Sequence, residues 1–306
     1  MVNLTKNATV NNGTKENGMT KFINDLFAEL ETRYDGEIRI QTVQKNNQSL
    51  IGFTFDKTYG EAKAKACPTL YPSNFYEDYV SGTEIEEIAD KMLDIVKDAK
   101  DIPDFDVEKM TDWEYAKTRV MPNVVSKETN GTMLKTLAYT NTKTDLAIIY
   151  RIVFGNDGEG TMSVKVTKPM LETFGITMAE LKKAAFKNME NQFEFKNMAD
   201  TLRELMGDDC GIEDAPMWVL STEDKLMGAG AMFVPKVLKA VKERVGLEQF
   251  YILPSSIHEV LVVTEPNANA DDLRNMVIEV NSTQVAPEDK LSDNVYFYNG
   301  KTIEVA

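Results

Sequence analysis

Residues 250–263 read FYILPSSIHEVLVV, which is the most apolar and β-prone run of the chain and contains its only histidine, His258. Residues 260–263 are all apolar, although successive side chains of a strand point to opposite faces. This pattern is typical of a strand that is covered on both faces. We therefore expect one central strand here, with the C-terminal half of the protein built around it.

Both helices and strands are predicted around this run. Thr177 and Glu180 have the spacing of a capping box and predict the start of a helix, while Pro235 and Gly246 mark the two ends of another. Asn299 followed by glycine predicts a hairpin near the C-terminus. Because the elements are mixed without a sustained strand–helix–strand rhythm, we predict an α+β fold with a mixed, mainly antiparallel sheet and flanking helices.

The length of 306 residues allows two average domains, and the composition indicates where they divide. Residues 1–18 are rich in Asn, Thr, Lys and Gly and predict a disordered tail. Residues 122–131 are polar and predict a linker. This leaves an N-terminal α+β region, residues 19–121, and a C-terminal α+β domain, residues 132–306.

Acidic side chains are concentrated in residues 84–114, where twelve Asp and Glu residues stand against four lysines in a chain with a net charge of −15. The first part has apolar residues at helical spacing, Ile95 among them, and predicts an amphipathic helix with an acidic outer face. Such a face is often only a solvated surface, but it also suits docking to a basic protein. The candidate binding residues are Glu84, Glu86, Glu87, Asp90, Asp94 and Asp98.

Composition also bears on partners and location. Contacts with nucleic-acid phosphates require clustered Lys and Arg, so we expect no direct binding to nucleic acid. No apolar run approaches the roughly 20 residues of a membrane helix, and the N-terminal residues lack the apolar core of a signal peptide. Cys67 and Cys210 form no CxxC pair. We therefore predict a cytoplasmic protein with reduced cysteines and no membrane association, of undefined oligomeric state.

The lone histidine raises the question of catalysis. Ser255 and Ser256 precede His258, and these three residues are the candidates for a hydrolase pocket. On a strand, Ser256 and His258 would point to the same face with their Cβ atoms roughly 6 to 7 Å apart, which is a poor start for a Ser–His hydrogen bond. We favour a histidine that is held by hydrogen bonds at the beginning of a strand.

Metal and nucleotide motifs are incomplete. One histidine and two distant cysteines do not make a zinc site, and residues 155–160 lack the ligand spacing of a calcium loop. A magnesium site made only of carboxylates remains open, because it needs no local motif. Residues 228–230, GAG, are a fragment of a dinucleotide fingerprint, and we interpret the glycines as allowing a tight hairpin or close packing. Residues 225–233 are accordingly expected to pair with a strand at 217–220, and no cofactor or metal is predicted.

Four segments of the C-terminal third resemble a known family. They are 250–260, FYILPSSIHEV, and 280–296, VNSTQVAPEDKLSDNVY, together with LST at 220–222 and GAGA at 228–231. In these segments the chain resembles an uncharacterised family, domain of unknown function 5688. The family has no established catalytic or ligand residue to carry over. The resemblance implies an occasional origin on bacterial mobile elements, which favours an accessory or interaction role.

The sequence therefore predicts a non-enzymatic, acidic protein that acts by binding another macromolecule, with a basic protein as the expected partner. The alternative is a hydrolase or metal-dependent enzyme with a pocket near Ser255, Ser256 and His258.

Overall fold

A computed structural model describes residues 13–56, 67–98, 109, 111–156, 161–206 and 216–306. These residues fall into two compact units, one within 1–107 and one spanning 108–306, and residues 45–48 group with the second. Parts of three predictions lie outside the described residues: the tail up to residue 12, the loop 157–160 and Cys210. Each unit is described by itself.

The first unit combines helices with one three-stranded sheet of order β1-β2-β3. Its core is formed by Phe22, Leu26 and Leu30 of the first helix, with Phe53 of the sheet and Met92 of the last helix. The elements are α1 (Gly13–Arg33), β1 (Glu37–Lys45), β2 (Gln48–Asp56), β3 (Thr69–Leu70), a 3₁₀ helix (Pro72–Phe75), α2 (Tyr76–Val80) and α3 (Ile85–Asp98).

The second unit begins with a four-stranded antiparallel sheet. Its elements are α4 (Trp113–Ala116), β4 (Val120–Ser126), α5 (Gly131–Leu134), β5 (Tyr139–Asn141), β6 (Leu146–Asn156), β7 (Thr161–Lys165), α6 (Lys168–Phe174) and α7 (Met178–Gln192). The long strand β6 pairs with β4 along one edge and with β5 and β7 along the other.

Strand β4 occupies half of the segment that was expected to be a linker, residues 122–131, and α5 follows it. The division between the units therefore precedes this segment. The polar residues of this segment indicate a linker, but Asn123 is buried in β4 beside Val124 and Val125. A buried polar residue raises the apparent polarity of an interior strand as much as that of a loop.

A six-stranded antiparallel sheet follows in the second unit, with the order β13-β12-β10-β11-β9-β8. Its elements are β8 (Phe193–Asn197), α8 (Met198–Met206), β9 (Met217–Thr222), a 3₁₀ helix (Gly228–Phe233), α9 (Pro235–Val245), β10 (Phe250–Pro254), β11 (Val260–Val263), α10 (Ala270–Thr283), β12 (Tyr296–Tyr298) and β13 (Ile303–Val305).

The run at residues 250–263 is a hairpin of two strands, β10 and β11, and not one strand. Pro254 pairs with Val260, and the five residues between them form the connecting loop. Proline ends the first strand because it has no N–H for the ladder. The two strands do lie at the centre of the sheet. They are covered on both faces, with Ile252 and Val262 in the main core and Leu253 and Val263 packed with α10.

Residues 225–233 do not return as a strand beside β9, so that prediction was wrong. β9 pairs with β8 and β11, and residues 228–233 form the 3₁₀ helix. Close packing explains the glycines. A Cβ on Gly228 would lie 2.5 Å from the backbone nitrogen of Thr222, and a Cβ on Gly230 would lie 2.4 Å from the carbonyl oxygen of Pro122.

Local signals located the ends of several elements. Thr177 and Glu180 form the predicted capping box of α7. Helix α9 begins at Pro235 and ends before Gly246, whose φ is +72°. The turn at Asn299 connects β12 to β13. The predicted α+β class with mainly antiparallel sheets and flanking helices is confirmed.

Candidate functional site

The predicted acidic face lies on α3, which separates a buried side from an exposed one. Ile88, Met92 and Val96 are buried in the core of the first unit. Ile95, which the periodicity places with this apolar stripe, is instead 45 % exposed, because it lies at the edge of the buried arc. The six predicted binding residues are all exposed: Glu84, Glu86, Glu87, Asp90, Asp94 and Asp98.

Two of these six carboxylates are in ion pairs. Asp90 Oδ1 lies 2.7 Å from Arg33 Nη1, and Glu87 Oε1 lies 3.8 Å from Lys91 Nζ. The other four have no ion-pair partner in the described part of the chain: Glu84, Glu86, Asp94 and Asp98. The start and the end of α3 therefore present unneutralised negative charge, and the partly exposed Ile95 lies within one turn of Asp94 and Asp98 at its end.

Only a small part of the remaining acidic segment belongs to the residues that the structure describes. Residues 99–108 and 110 lie outside the described residues. Asp112 and Glu114 belong to the second unit. There the Asp112 side chain caps α4 by accepting from the backbone N–H of Glu114, whose own carboxylate pairs with Lys117.

The loop at residues 255–259, between β10 and β11, holds His258 at both ring nitrogens. Its Nδ1 accepts from the backbone N–H of Met227 at 3.1 Å, and its Nε2 lies 3.2 Å from Asp289 Oδ1. Because Nδ1 is an acceptor, the proton of the neutral imidazole is on Nε2 and is donated to Asp289. This arrangement leaves no uncommitted ring nitrogen to act as a base.

The two candidate serines bond within the loop and not to the imidazole. Ser256 Oγ accepts from the backbone N–H of His258 at 3.0 Å. Ser255 Oγ donates to Glu259 Oε1 at 3.1 Å. A nucleophilic serine requires a hydrogen bond to its base, and neither serine has one here.

Residues distant in the sequence complete the setting of His258. Its carbonyl oxygen accepts from the backbone N–H of Gly228 and from Ser221 Oγ, both at 2.8 Å. Sequence reasoning did not single out Ser221, Met227 or Asp289 as partners of the histidine. The signal that could have found Ser221 and Asp289 is their position in two of the segments that carry the family resemblance.

We expect His258→Ala to destabilise the second unit by about 2 kcal/mol, because the Met227 N–H and the Asp289 carboxylate each lose a partner. His258→Asn should recover part of this loss, since its amide oxygen can replace Nδ1 as the acceptor. Urea unfolding followed by fluorescence measures the effect, because both tryptophans, Trp113 and Trp218, lie in the second unit. Equal stability of wild type and His258→Ala would contradict the structural role of the ring.

The described residues offer neither a cluster of metal ligands nor a membrane-spanning helix. There, no group of three or more His, Cys, Asp or Glu side chains could hold a metal ion. None of the helices in the same residues has the length and apolar character that crossing a membrane requires.

Comparison with known proteins connects the chain to one family. The model of DUF5688, a family of unknown function, matches residues 19–300. The match extends over nearly the whole chain, so the concentration of the resemblance in the C-terminal third is not confirmed. Neither the curated proteins nor the solved structures give a match. The chain belongs to the DUF5688 family of unknown function.

Proposed function

We propose that this protein acts without catalysis, by docking the acidic face of α3 onto a basic surface of another protein. The observation that carries the proposal is the set of four exposed carboxylates without an ion-pair partner among the described residues: Glu84, Glu86, Asp94 and Asp98. Charges left unpaired at a surface set up a field that steers a partner of opposite sign and selects it against acidic competitors.

Exposed apolar side chains in the first unit supply the other half of an interface. Ile95 is 45 % exposed on α3, and Val80 is 67 % exposed at the end of α2. Interfaces combine an apolar centre with a polar or charged rim, and Ile95 lies one turn from Asp98 on the same helix. The expected partner therefore presents basic side chains around an apolar contact point.

The alternative is a hydrolase or metal-dependent enzyme with its pocket near Ser255, Ser256 and His258. The contacts of these residues favour the binding proposal, because both imidazole nitrogens are committed and neither serine reaches them. The acidic character of the chain supports a partner that is protein and not nucleic acid.

The proposal also includes a location and a biological setting. We place the protein in the cytoplasm, since a Cys67 side chain that is not in a disulfide is compatible with a reducing environment. We place it among accessory proteins of bacterial mobile elements, as the family resemblance implies.

Charge reversal of the four unpaired carboxylates to lysine should lower recovery of the partner from a cell lysate on the order of tenfold. The tagged wild type and the variant are compared by quantitative mass spectrometry of the captured proteins. Residues Glu84, Glu86, Asp94 and Asp98 are exposed, so the substitutions leave the core of the unit unchanged.

The matched control reverses four exposed acids of the second unit, Glu172, Glu223, Glu265 and Glu279. It changes the net charge by the same amount. Loss of a partner in the first variant and its retention in the control would support docking through α3. Equal recovery by all three proteins would refute it.

A further inference from the structure

A cavity of about 150 Å³ in the second unit is lined by β4 and the residues just before it, by β6 and by the turn that follows β9. Arg151 contributes from β6 and Arg119 from the turn just before β4. Asp224, Leu226 and Met227 contribute from the turn after β9. The register β4–β6–β7 places Met121, Arg151 and Lys165 opposite one another, on one face of the sheet.

The two arginines of this cavity differ from most others in the chain. Four of the seven arginines pair with a carboxylate: Arg33, Arg39, Arg203 and Arg274. Arg119 and Arg151 have no such partner among the described residues, although the chain has 49 acidic residues. A positive charge withdrawn from water is costly unless an anion accompanies it.

The two guanidinium groups donate hydrogen bonds to uncharged oxygens, which hold the groups in place but do not neutralise their charge. Arg151 is half-buried, and its Nε and Nη2 donate to Ser163 Oγ at 3.1 and 2.6 Å. Arg119 donates from Nη1 to Thr118 Oγ1 at 2.9 Å and to the Tyr115 carbonyl oxygen at 3.2 Å, and its Cζ lies 3.9 Å from the centre of the Tyr115 ring. The remaining N–H groups are available to an acceptor in the cavity.

The electrostatic effect of Arg151 is visible at its neighbour. Burial, and after it the positive charge of Arg151, lower the pKa of Lys165 to about 8. Burial also lowers the pKa of Arg151 itself. This face of the sheet is thus a positive site inside an acidic protein.

Other lining groups are suited to an organic anion. Asn123 is buried, its Oδ1 accepts from the backbone of Val124, and its Nδ2 has no acceptor among the described residues. Met121, Val153 and Leu226 supply apolar walls. Sites for small molecules combine such apolar walls with a few convergent polar groups.

The single carboxylate among the lining residues belongs to Asp224, and it stabilises the turn. Its Oδ1 accepts from Thr222 Oγ1 at 2.8 Å and from the backbone N–H of Leu226 at 3.3 Å. It makes no ion pair with either arginine.

The turn itself is strained. Lys225 and Met227 have φ values of +58° and +54°, and they are two of the three non-glycine residues with positive φ in the described part of the chain. Non-glycine residues rarely adopt this conformation, and those that do cluster at ligand sites. The bond from the Met227 N–H to His258 Nδ1 holds the strained residue at the cavity wall.

We propose that this cavity binds a small organic anion, whose carboxylate or phosphate group lies between Arg119 and Arg151 and whose apolar part contacts Met121, Val153 and Leu226. Guanidinium groups bind both kinds of oxyanion through paired N–H donors. In this site His258 is a positioning residue, because it acts through Met227.

Titration with inorganic phosphate, and separately with acetate, tests the site at constant ionic strength. The Nε–Hε resonances of the seven arginines are followed by NMR. We expect those of Arg119 and Arg151 to shift saturably with one common Kd. Saturation by phosphate alone would assign a phosphorylated ligand, and saturation by acetate alone would assign a carboxylate.

Arg151→Met should weaken this affinity on the order of tenfold or more, because it removes the charge and keeps the apolar stem. Arg119→Met is a second variant in case the first fails to fold. Arg151→Lys keeps the positive charge but lacks the planar, paired N–H donors of a guanidinium, so it separates the two contributions. Arg244→Met is the matched control, since Arg244 also has no ion-pair partner in the part of the chain that the structure describes and lies over Trp218 instead. Linear, unsaturable shifts of all seven arginines, or equal affinity in the Arg151, Arg119 and Arg244 variants, would overturn the proposal.

Discussion

Replacing Gly230 by alanine is expected to destabilise the second unit by about 3 kcal/mol, at the upper end of the usual cost of overpacking. The added Cβ would lie 2.4 Å from the carbonyl oxygen of Pro122 and 2.9 Å from its carbonyl carbon. Both atoms are backbone, so no side chain can move aside. Relief requires the 3₁₀ helix and β4 to separate, and residues of both are buried in the main core.

Gly131→Ala is the matched control for this prediction. No atom of the described residues lies within 4 Å of a Cβ built on Gly131, and this residue begins the short helix α5, where alanine is a good helix former. Urea unfolding monitored by tryptophan fluorescence reports on the second unit, which contains both tryptophans. If the two alanine variants had equal unfolding midpoints, the close approach of Gly230 to β4 would be wrong.

The close packing of these glycines also bears on the proposed anion site. Gly228 lies against the backbone of Ser221 and Thr222, and Gly230 lies against that of Pro122. Thr222 and Pro122 both line the cavity. The GAG segment thus fixes the distance between the turn and β4, although it contacts no ligand. The GAG sequence resembles a fragment of a dinucleotide-binding fingerprint, but its glycines are explained by this close packing.

Elements with strong local signals could be predicted from the sequence. The capping box at Thr177, the proline and glycine that bracket α9, and the turn at Asn299 act within a few residues of themselves. The acidic face of α3 is equally local, because helical periodicity separates its buried side from its charged side at every apolar position except Ile95.

Elements that depend on distant partners could not be predicted in the same way. The run at residues 250–263 is apolar at both ends, and only the loop bonds of His258 and the pairing of Pro254 with Val260 show that it folds back. β8 is a strand of five residues directly between two helices, and its partner β9 begins twenty residues after it ends. Periodicity in so short a segment does not distinguish strand from helix.

The two sites also combine residues that are far apart in the sequence. His258 meets Asp289, which lies 31 positions away, and the two cavity arginines are separated by 32 positions and meet through the pairing of β4 with β6. A single sequence has no record of such pairings. The sequence therefore identified the histidine but not its partners, and it gave no indication of the arginine pair.

Alkaline pH is expected to destabilise the second unit through two buried tyrosines. Burial raises the pKa of Tyr150 to about 12, and burial together with Asp145 raises the pKa of Tyr296. A phenol whose pKa is higher in the folded state than in the unfolded state resists ionisation only while folded. Its contribution to the free energy of unfolding is therefore complete below pH 10 and is lost as the pH rises toward 12. For Tyr150 the folded-state pKa is about two units above the unfolded value, so the loss of stability amounts to about 2.7 kcal/mol.

Tyr150→Phe isolates this contribution. The variant lacks the 2.7 Å hydrogen bond with Thr140 Oγ1, so it should be less stable than wild type by about 1 kcal/mol below pH 10. Above that pH the wild type loses stability as the phenol ionises in the unfolded state, and Tyr150→Phe has no phenol there to ionise. We expect Tyr150→Phe to become the more stable of the two proteins at about pH 11. Urea unfolding by tryptophan fluorescence across this range measures the difference.

Thr140→Val separates the hydrogen bond from the ionisation. It removes the same bond and keeps the buried phenol, so it should start below wild type and still lose stability above pH 10. A constant difference between wild type and Tyr150→Phe from pH 9 to 12 would contradict the prediction. It would mean that the hydroxyl of Tyr150, a side chain of β6 that is fully buried, reaches water in the folded protein.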